Sequence, residues 1–577
     1  MEPMKTASLI TSDLIALIEK RNIPIEKDQL IEVLHCINDH FGCLPKPFLR
    51  AVSQIIGRNE ADVYGVASFY HHFIIVDDIP AEKHITLRVC DGLSCCMKGA
   101  NELFESLGQQ LHPSNSLTLV RAPCVGRCEQ SPVAVVQHNP ILCATADDVI
   151  TALESEQLDH PPSKPARSSF DPVAVATGHR GQVENSQTNN PDWVGLVNYR
   201  ATNGYSLLTS IQDGTINRQH VITELPNSNL RGLGGAGFSA GKKWQIVSSF
   251  PGPRYVVVNL DEGEPGTFKD RTYLEKDPHR FLEGLLIACE MVEATKCYIY
   301  IRDEYAGGLQ VLKEAINELC DTGILAADLI EIRRGAGAYI CGEESALIES
   351  IEGKRGEPRQ RPPYVAEQGL FNRPTLVHNF ETLYWIRDIL ERGASWFTNF
   401  GRRGRTGLRS FSVSGRVKSP GVKLAPAGTS LAELVDEFCG GMLDGHELYG
   451  YLPGGASGGI LPARLAHLPL DFDTLQKYGC FIGSAAIVVL SQYDAAKSAA
   501  LNAMEFFVHE SCGQCSPCRL GTHHAAELMR APVWDQPRLI ALSQTLRDAS
   551  ICGLGQAAPN VIDCVRDYFP SEITEHE

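Results

Sequence analysis

Long apolar runs are missing from this sequence. The best candidate, residues 480–490, is eleven residues long and is interrupted by Gly483 and Ser484, whereas a bilayer-crossing helix needs about 20. No membrane insertion is therefore expected. The first twenty residues, MEPMKTASLITSDLIALIEK, lack a basic start followed by an apolar stretch and a small-residue cleavage site, so no signal peptide is expected either. Both absences predict a cytoplasmic chain. An excess of positive charge is missing too: Lys and Arg total 52 against 69 Asp and Glu, a formal charge of −17. Nucleic-acid binding rests on a basic footprint, so nucleic acid is not an expected partner. Tandem repeats are absent. What remains is ordinary soluble composition, 43% hydrophobic and 21% charged, in a chain long enough for about three to five domains.

Cysteine, by contrast, is plentiful. The 19 cysteines of an unexported chain should be mostly reduced, which makes clustered ones candidate metal ligands. Late in the chain, ESCGQCSPCR sets Cys512, Cys515 and Cys518 in C-x2-C-x2-C spacing, and Cys552 follows in SICGLG. Three thiolates from one tight turn, with a fourth arriving from elsewhere, suit a [4Fe–4S] cluster. Zinc sites more often show two separated pairs. A second set, Cys90 and Cys95 in CDGLSC and Cys124 and Cys128 in CVGRC, forms two such pairs. These suit a [2Fe–2S] centre, one pair per iron, or one tetrahedral zinc. Cys96 adjoins Cys95, and consecutive side chains point in different directions, so only one of the two should face the metal. The remaining cysteines, Cys36, Cys289 and Cys439 among them, read as small buried apolar residues.

Periodicity organises the rest. Residues 8–80 read as helical, with Leu30, Ile31, Leu34 and Ile37 on one face. Ile85, Leu87 and Val89 then alternate as a strand ending at Cys90, opening a small α/β unit. Pro, Ser, Asn and Gln crowd the following stretch, which reads as a linker. The strands YVVVNL and CYIYIR flank the helical FLEGLLIACEMVEAT, an α/β alternation. From residue 410 a β-grasp-sized insert is expected, and after 495 the chain is helical again.

Three loops carry glycine and acid. SNLRGLGGAGFSAGKKW contains Gly232, Gly234 and Gly237 as a literal G-x-G-x-x-G. Neither a buried strand before it nor an apolar helix directly after it is expected, so a dinucleotide-binding Rossmann turn is not the reading. A loop whose backbone N–H groups approach a phosphate, with Lys242 and Lys243 nearby, remains chemically sensible. NLDEGEPGTFKDR follows an apolar strand and places Asn259, Asp261, Glu262 and Glu264 at a strand end, where ligand-binding loops gather in α/β domains. GAGAYICGEES adds Tyr339, Glu343 and Glu344. With two cysteine clusters, these loops imply a redox protein with an organic cofactor; the competing reading is a zinc-stabilised binding scaffold without redox turnover.

The strings RGLGGAGF, DEGEPGT, YIYIRDEY, GAGAYICGEES, EGKRGEPR and ESCGQCSPCR resemble the NADH-binding flavoprotein subunit of respiratory complex I over residues 200–570. Residues 8–155, through VYGVASFYHHF and the two cysteine pairs, resemble its thioredoxin-like [2Fe–2S] companion. The fusion in this order resembles the β subunit of NAD-dependent molybdenum or tungsten formate dehydrogenases; the diaphorase subunit of NAD-reducing NiFe hydrogenases is similar. The resemblance implies an α/β multidomain fold: a helical segment over 1–80, a thioredoxin-like [2Fe–2S] domain over 81–158, a linker over 159–196, an FMN/NADH domain over 197–405, an SLBB-like β-grasp domain over 406–494 and a helical [4Fe–4S] domain over 495–577. It implies FMN held by Gly232, Gly234, Gly235, Gly237 and Lys243, with Asn259, Asp261 and Glu262 on its ribityl or ring atoms and Asn379, Thr382 and His378 on its phosphate side. Phe238 would stack on NADH and Glu264 would bind the nicotinamide amide. Tyr339, Glu343 and Glu344 would line the same pocket, with Arg361 and Tyr364 near the adenine. The chain departs from the family pattern at Leu233, Gln245, Arg361, Tyr364 and His378. The implied partner is a molybdenum- or tungsten-containing formate dehydrogenase α subunit, or hydrogenase subunits, in a hetero-oligomer.

Overall fold

The computed structural model describes residues 2–111, 116–173 and 192–574. Its N-terminal segment is helical as the periodicity predicts. Leu30–Phe41 buries Leu30, Ile31, Leu34 and Ile37 and stops at Gly42, whose φ of 75° supplies the left-handed cap. The two short strands β1 (Leu44–Pro45) and β2 (Ile75–Val76) pair in parallel and close the segment.

A four-stranded sheet follows, built from β3 (Ile85–Cys90), β4 (Leu117–Ala122), β5 (Ala134–Val136) and β6 (Asn139–Ile141), in the order β4-β3-β5-β6. β3 and β4 are parallel, and β5 and β6 are antiparallel to their neighbours. Beyond it, residues 174–191 of the expected linker lie outside the described residues. The described flanks are packed down: Trp193 is buried, its N–H donates to the Lys164 carbonyl at 3.2 Å, and its own carbonyl accepts from Arg167 N–H at 3.1 Å.

The central unit is a sheet of β7 (Arg254–Leu260), β8 (Ala294–Ile301), β9 (Ile330–Arg334) and β10 (Thr375–Asn379), ordered β10-β7-β8-β9 and parallel throughout. Val256, Val257 and Val258 are fully buried, the pattern of a strand covered on both faces. The helix Pro278–Val292 supplies much of that cover. In it Gly284 presses so closely on the Leu383 carbonyl that an added Cβ would lie 2.0 Å from the oxygen. Register matters here: Asn259 pairs with Asn379. Two residues far apart in sequence thus meet at the carboxyl ends of adjacent strands.

One expectation is corrected. An amphipathic helix, Ala240–Ser249, does follow the glycine loop directly. The Ser239 hydroxyl caps it by accepting from Lys242 N–H. Ala240, Trp244 and Val247 are buried, while the Lys-Lys pair interrupts the apolar signal in sequence. The segment before the loop, Arg218–Asn227, is also helical, so the loop joins two helices.

A mixed five-stranded sheet comes next: β11 (Leu408–Gly415), β12 (Gly421–Pro426), β13 (Leu448–Leu452), β14 (Leu461–Pro462) and β15 (Ala486–Ser491), in the order β12-β11-β15-β13-β14. A short helical turn, residues 431–438, crosses between β12 and β13, giving the expected β-grasp pattern. The C-terminus is helical from Ala496–Glu510 to Asn560–Tyr568. No helix among the described residues is long and apolar enough to cross a membrane.

Candidate functional site: a polar cleft between two cysteine quartets

Open parallel sheets bind ligands beyond the carboxyl ends of their strands. Here those ends open into a cleft of about 340 Å³. Nine of the residues singled out in the sequence line it: Gly234, Gly235, Asn259, Asp261, Glu262, Glu264, Tyr339, Glu343 and Asn379. Gly235 has a φ of 124° that side chains rarely adopt. A Cβ on Gly234 would come to 3.0 Å from Asn379 Cβ. The loop is held from behind, because Leu233 N–H donates to the buried Thr382 hydroxyl at 2.9 Å.

The acids behave differently from one another. Glu262 turns inward and accepts from Asp270 N–H at 2.9 Å, Arg271 N–H at 3.2 Å and the Tyr305 hydroxyl at 2.9 Å. Burial pushes it up to about 7. Glu264 accepts from the Tyr339 hydroxyl at 2.5 Å and from Ser457 N–H at 2.8 Å and its hydroxyl at 3.0 Å. Glu343 caps the helix Glu344–Ile351 and pairs with Arg361. Asp261 stands apart. Its Oδ2 is buried without a hydrogen-bond partner, and burial pushes its carboxyl up to about 8 against the opposing Arg302 charge.

The other named residues sit outside the cleft lining. Phe238 and Tyr364 are 50% and 59% exposed. Lys243 donates to Glu344 at 3.2 Å and to the Val377 carbonyl at 2.9 Å. His378 is buried and accepts from Trp244 Nε1 at 2.8 Å, so this departure from the family pattern serves an indole. Gly232 closes the loop through its N–H to the Phe238 carbonyl, and Gly237 packs against Phe472. Sequence reasoning missed Thr267, Lys269, Asp270, Ser457, Gly483, Ser484 and Leu554, which also line the cleft. Lys269 and Asp270 stand in the NLDEGEPGTFKDR string without a signal of their own, and the last four come from other modules.

The cysteines gather as their spacing implies. Cys90, Cys95, Cys124 and Cys128 are buried around one cavity of about 140 Å³. Cys124 and Cys128 sulfurs are 3.2 Å apart. Gly92 sits against the group, where a Cβ would come into van der Waals contact with Cys124 and, at 3.5 Å, with Cys90 Sγ. Cys95 faces the group, whereas Cys96 donates away to the Asp91 carbonyl at 3.1 Å. In the C-terminal set burial pushes Cys518 up to about 12, and the nearby Cys515, Cys552 and Cys512 sulfurs add to the rise. All described cysteines are free thiols. Neither quartet contributes to the groups of three or more ligand atoms within 4.8 Å of one another among the described residues, whereas thiolates around one zinc stand about 3.8 Å apart.

One guanidinium ties the first quartet to the cleft. Arg302 donates to the Glu262 carbonyl at 2.6 Å and to the Cys124 carbonyl at 2.8 Å. The second quartet reaches the cleft through Gly553 and Leu554, directly after Cys552. The residues present fit a flavin and two iron–sulfur centres: an orphaned buried oxygen in a glycine-walled cleft, and two thiol cradles.

A parallel-sheet flavin cleft flanked by two cysteine quartets defines a flavin/iron–sulfur electron-transfer protein. Comparison with known proteins agrees. Residues 16–157 match the thioredoxin-like [2Fe–2S] ferredoxin model, 225–388 the Nuo51 FMN-binding domain, and 498–576 the NADH-ubiquinone oxidoreductase-F iron–sulfur binding region. The second F subunit of the NADH-quinone oxidoreductase of Rhizobium meliloti (strain 1021) is 38% identical over 401 residues, 67% of this chain and 95% of the relative. The mitochondrial NADH dehydrogenase [ubiquinone] flavoprotein 1 of Dictyostelium discoideum is 37% identical over 441 residues, 70% and 92% of the two chains. A solved NAD⁺-reducing [NiFe]-hydrogenase chain superposes with a TM-score of 0.78 at 28% identity, covering 95% of this chain and 94% of its own. The chain belongs to the family of NADH-quinone oxidoreductase F subunits. It is an NADH-binding electron-transfer subunit with FMN, one [2Fe–2S] and one [4Fe–4S] centre, which sets aside the zinc scaffold.

Asp261 supplies a pH prediction. A ligand that covers its carboxyl raises the pKa further, so binding favours the protonated form. FMN affinity should be flat below about pH 8 and fall above it, by up to about tenfold per unit. Ultrafiltration of flavin between pH 6 and 10 reads this directly, and Asp261→Asn should abolish the slope. A wild-type profile that stays flat through pH 9 would remove Asp261 from the flavin.

Proposed function

We propose that this chain passes electrons between NAD(H) and a metal-containing partner subunit, within a cytoplasmic hetero-oligomer. The observation that carries the reading is a single polar cleft joined to one quartet through Arg302 and to the other through Leu554. FMN bound there supplies the exchange between the paired electrons of a nicotinamide and the single electrons of iron–sulfur centres.

The chain's own residues bind and align. Gly234 and Gly235 let the backbone approach the flavin, Gly232 and Gly237 shape the loop behind them, and Asn259, Asn379 and Asp261 offer side-chain atoms at the strand ends. Thr382 and His378 act as positioning residues, through Leu233 N–H and Trp244. Glu264, already oriented by Tyr339 and Ser457, is assigned to the nicotinamide amide. Phe238 is assigned to stacking, and Glu343, Glu344, Arg361 and Tyr364 to the nucleotide side. Lys243, held by Glu344, sets the charge beside the glycine loop. Alignment of this kind lowers the entropic part of the barrier. The exit toward the partner is assigned to Cys512, Cys515, Cys518 and Cys552, with Cys90, Cys95, Cys124 and Cys128 on the opposite side.

For the partner we infer a molybdenum- or tungsten-containing, formate-oxidising subunit. The order of the fused modules and the complete N-terminal quartet support it. A second reading, a NiFe hydrogenase partner, is favoured by the likeness to the NAD⁺-reducing [NiFe]-hydrogenase chain over 95% of this chain. Reconstitution separates them. The isolated chain should oxidise NADH with an artificial acceptor and be inert to formate. Formate-dependent NAD⁺ reduction should appear on adding the metal-containing subunit. Turnover restored only by hydrogen and a hydrogenase subunit would establish the second reading. Formate oxidation by the chain alone would overturn the electron-transfer assignment itself.

A further inference from the structure

Outside the redox groups, one cluster joins three distant parts of the chain. His71 lies in the turn after the helix Glu60–Ala67, and His509 and Glu510 end the helix Ala496–Glu510. The His71 and His509 rings meet with centroids 4.0 Å apart, tilted by 58°. One ligand atom from each of His71, His509 and Glu510 lies within 4.8 Å of the others.

The Glu510 carboxylate is the informative member. It is only 4% exposed, and a buried carboxylate needs compensation. Oε2 accepts from Tyr339 N–H at 2.8 Å, and Oε1 faces His509 Nδ1 at 2.9 Å. Among the described residues its only ion-pair partner is that histidine, and no Lys or Arg reaches it. Both imidazoles are exposed, and both line a cavity of about 360 Å³. The other histidine–carboxylate group, His35, His72 and Asp303, differs on each point. It is buried, and Arg334 already neutralises Asp303 at 2.6 Å.

We propose that His71, His509 and Glu510 form a binding site for one divalent cation of the zinc class. Two imidazoles and a carboxylate select Zn²⁺ and similar nitrogen-preferring ions over Mg²⁺ or Ca²⁺. Ligand atoms around tetrahedral zinc stand about 3.4 Å apart, which rotation of the two exposed histidines can reach. Solvent at their faces leaves a fourth position for water. The ion fastens the N-terminal helical segment to the helix that leads into the Cys512 loop. Through Glu510 it also touches Tyr339, whose hydroxyl holds Glu264.

The test uses the full chain loaded with FMN and both clusters, dialysed to equilibrium against Zn²⁺ at pH 7.5 with excess Mg²⁺, with zinc, iron and flavin quantified together. Wild type should bind one zinc per chain beyond its iron. His71→Asn and His509→Asn should each weaken that binding at least about tenfold, since even outer-shell changes cost this much. Equal zinc binding by wild type and His71→Asn, or none by wild type, overturns the site. Should a variant fail to load its clusters, zinc-edge X-ray absorption on wild type decides. A nitrogen and oxygen shell near 2.0–2.1 Å supports the site, and a sulfur shell near 2.3 Å overturns it.

Discussion

Cys552→Ser should leave reduction of the flavin by NADH intact while onward transfer to the partner falls to background. Cys552 is the one member of its quartet that comes from outside the ESCGQCSPCR turn. It precedes the five-residue helix Gly553–Ala557, and the adjoining Gly553 and Leu554 line the cleft. That helix packs on another cysteine of the set: a Cβ on Gly555 would come to 3.0 Å from Cys518 Cβ. A cubane held by three thiolates and a poor fourth ligand is lost or altered, so iron should drop by about four per chain. None of the cleft's own polar contacts involves this thiol. Stopped-flow traces at the flavin band, with partner reduction followed in parallel, separate the two steps. Normal partner reduction by a folded Cys552→Ser chain would mean that Cys552 is not a ligand or that its cluster lies off the path.

Lys269→Met should cost about 3–5 kcal/mol of stability, the penalty of breaking a buried ion pair from one side. Lys269 is 1% exposed and lies 2.6 Å from Asp270 and 3.1 Å from Glu381, each also 1% exposed. Burial opposes its charge, but the surrounding carboxylates outweigh that and hold its pKa above the ordinary lysine value. Removing the ammonium leaves two buried carboxylates facing each other. Asp270 also accepts from Asn379 Nδ2 at 2.6 Å, so the damage reaches the cleft and flavin content should fall as well. The triple variant Lys269→Met, Asp270→Asn, Glu381→Gln should recover much of the stability, because it removes the unpaired charges along with the lysine. Denaturant midpoints for the single and triple variants test this. Equal midpoints for wild type and Lys269→Met would show that the cluster contributes nothing.

Much of the chemistry was legible because its signals are local. Cys512, Cys515 and Cys518 come from one turn, and each N-terminal pair lies within a short stretch of chain, so spacing alone gathers the ligands. The strand before Asn259 and Asp261 announced itself as an unbroken apolar run, and such strands present their trailing loops to ligands. The helix Ala240–Ser249 escaped notice because its exposed lysines dilute a short apolar face and a hydroxyl cap starts it.

Sequence by itself determined the modules, the cysteine sets and the acid-bearing loops. Tertiary structure alone decided what each cleft acid is bonded to. Glu262 and Glu264 stand two positions apart in one motif, yet the first is consumed by Asp270, Arg271 and Tyr305 while the second meets Ser457 of the β-grasp unit. It also decided that Cys95 rather than Cys96 faces the quartet, that Leu554 and Ser484 close the cleft, and that His71 meets His509. The physical reason is range. Helix and strand periods and metal-ligand spacings repeat within a few residues, because neighbouring backbone groups bond to one another. Contacts between modules are set by packing and charge neutralisation, which leave no period in the chain.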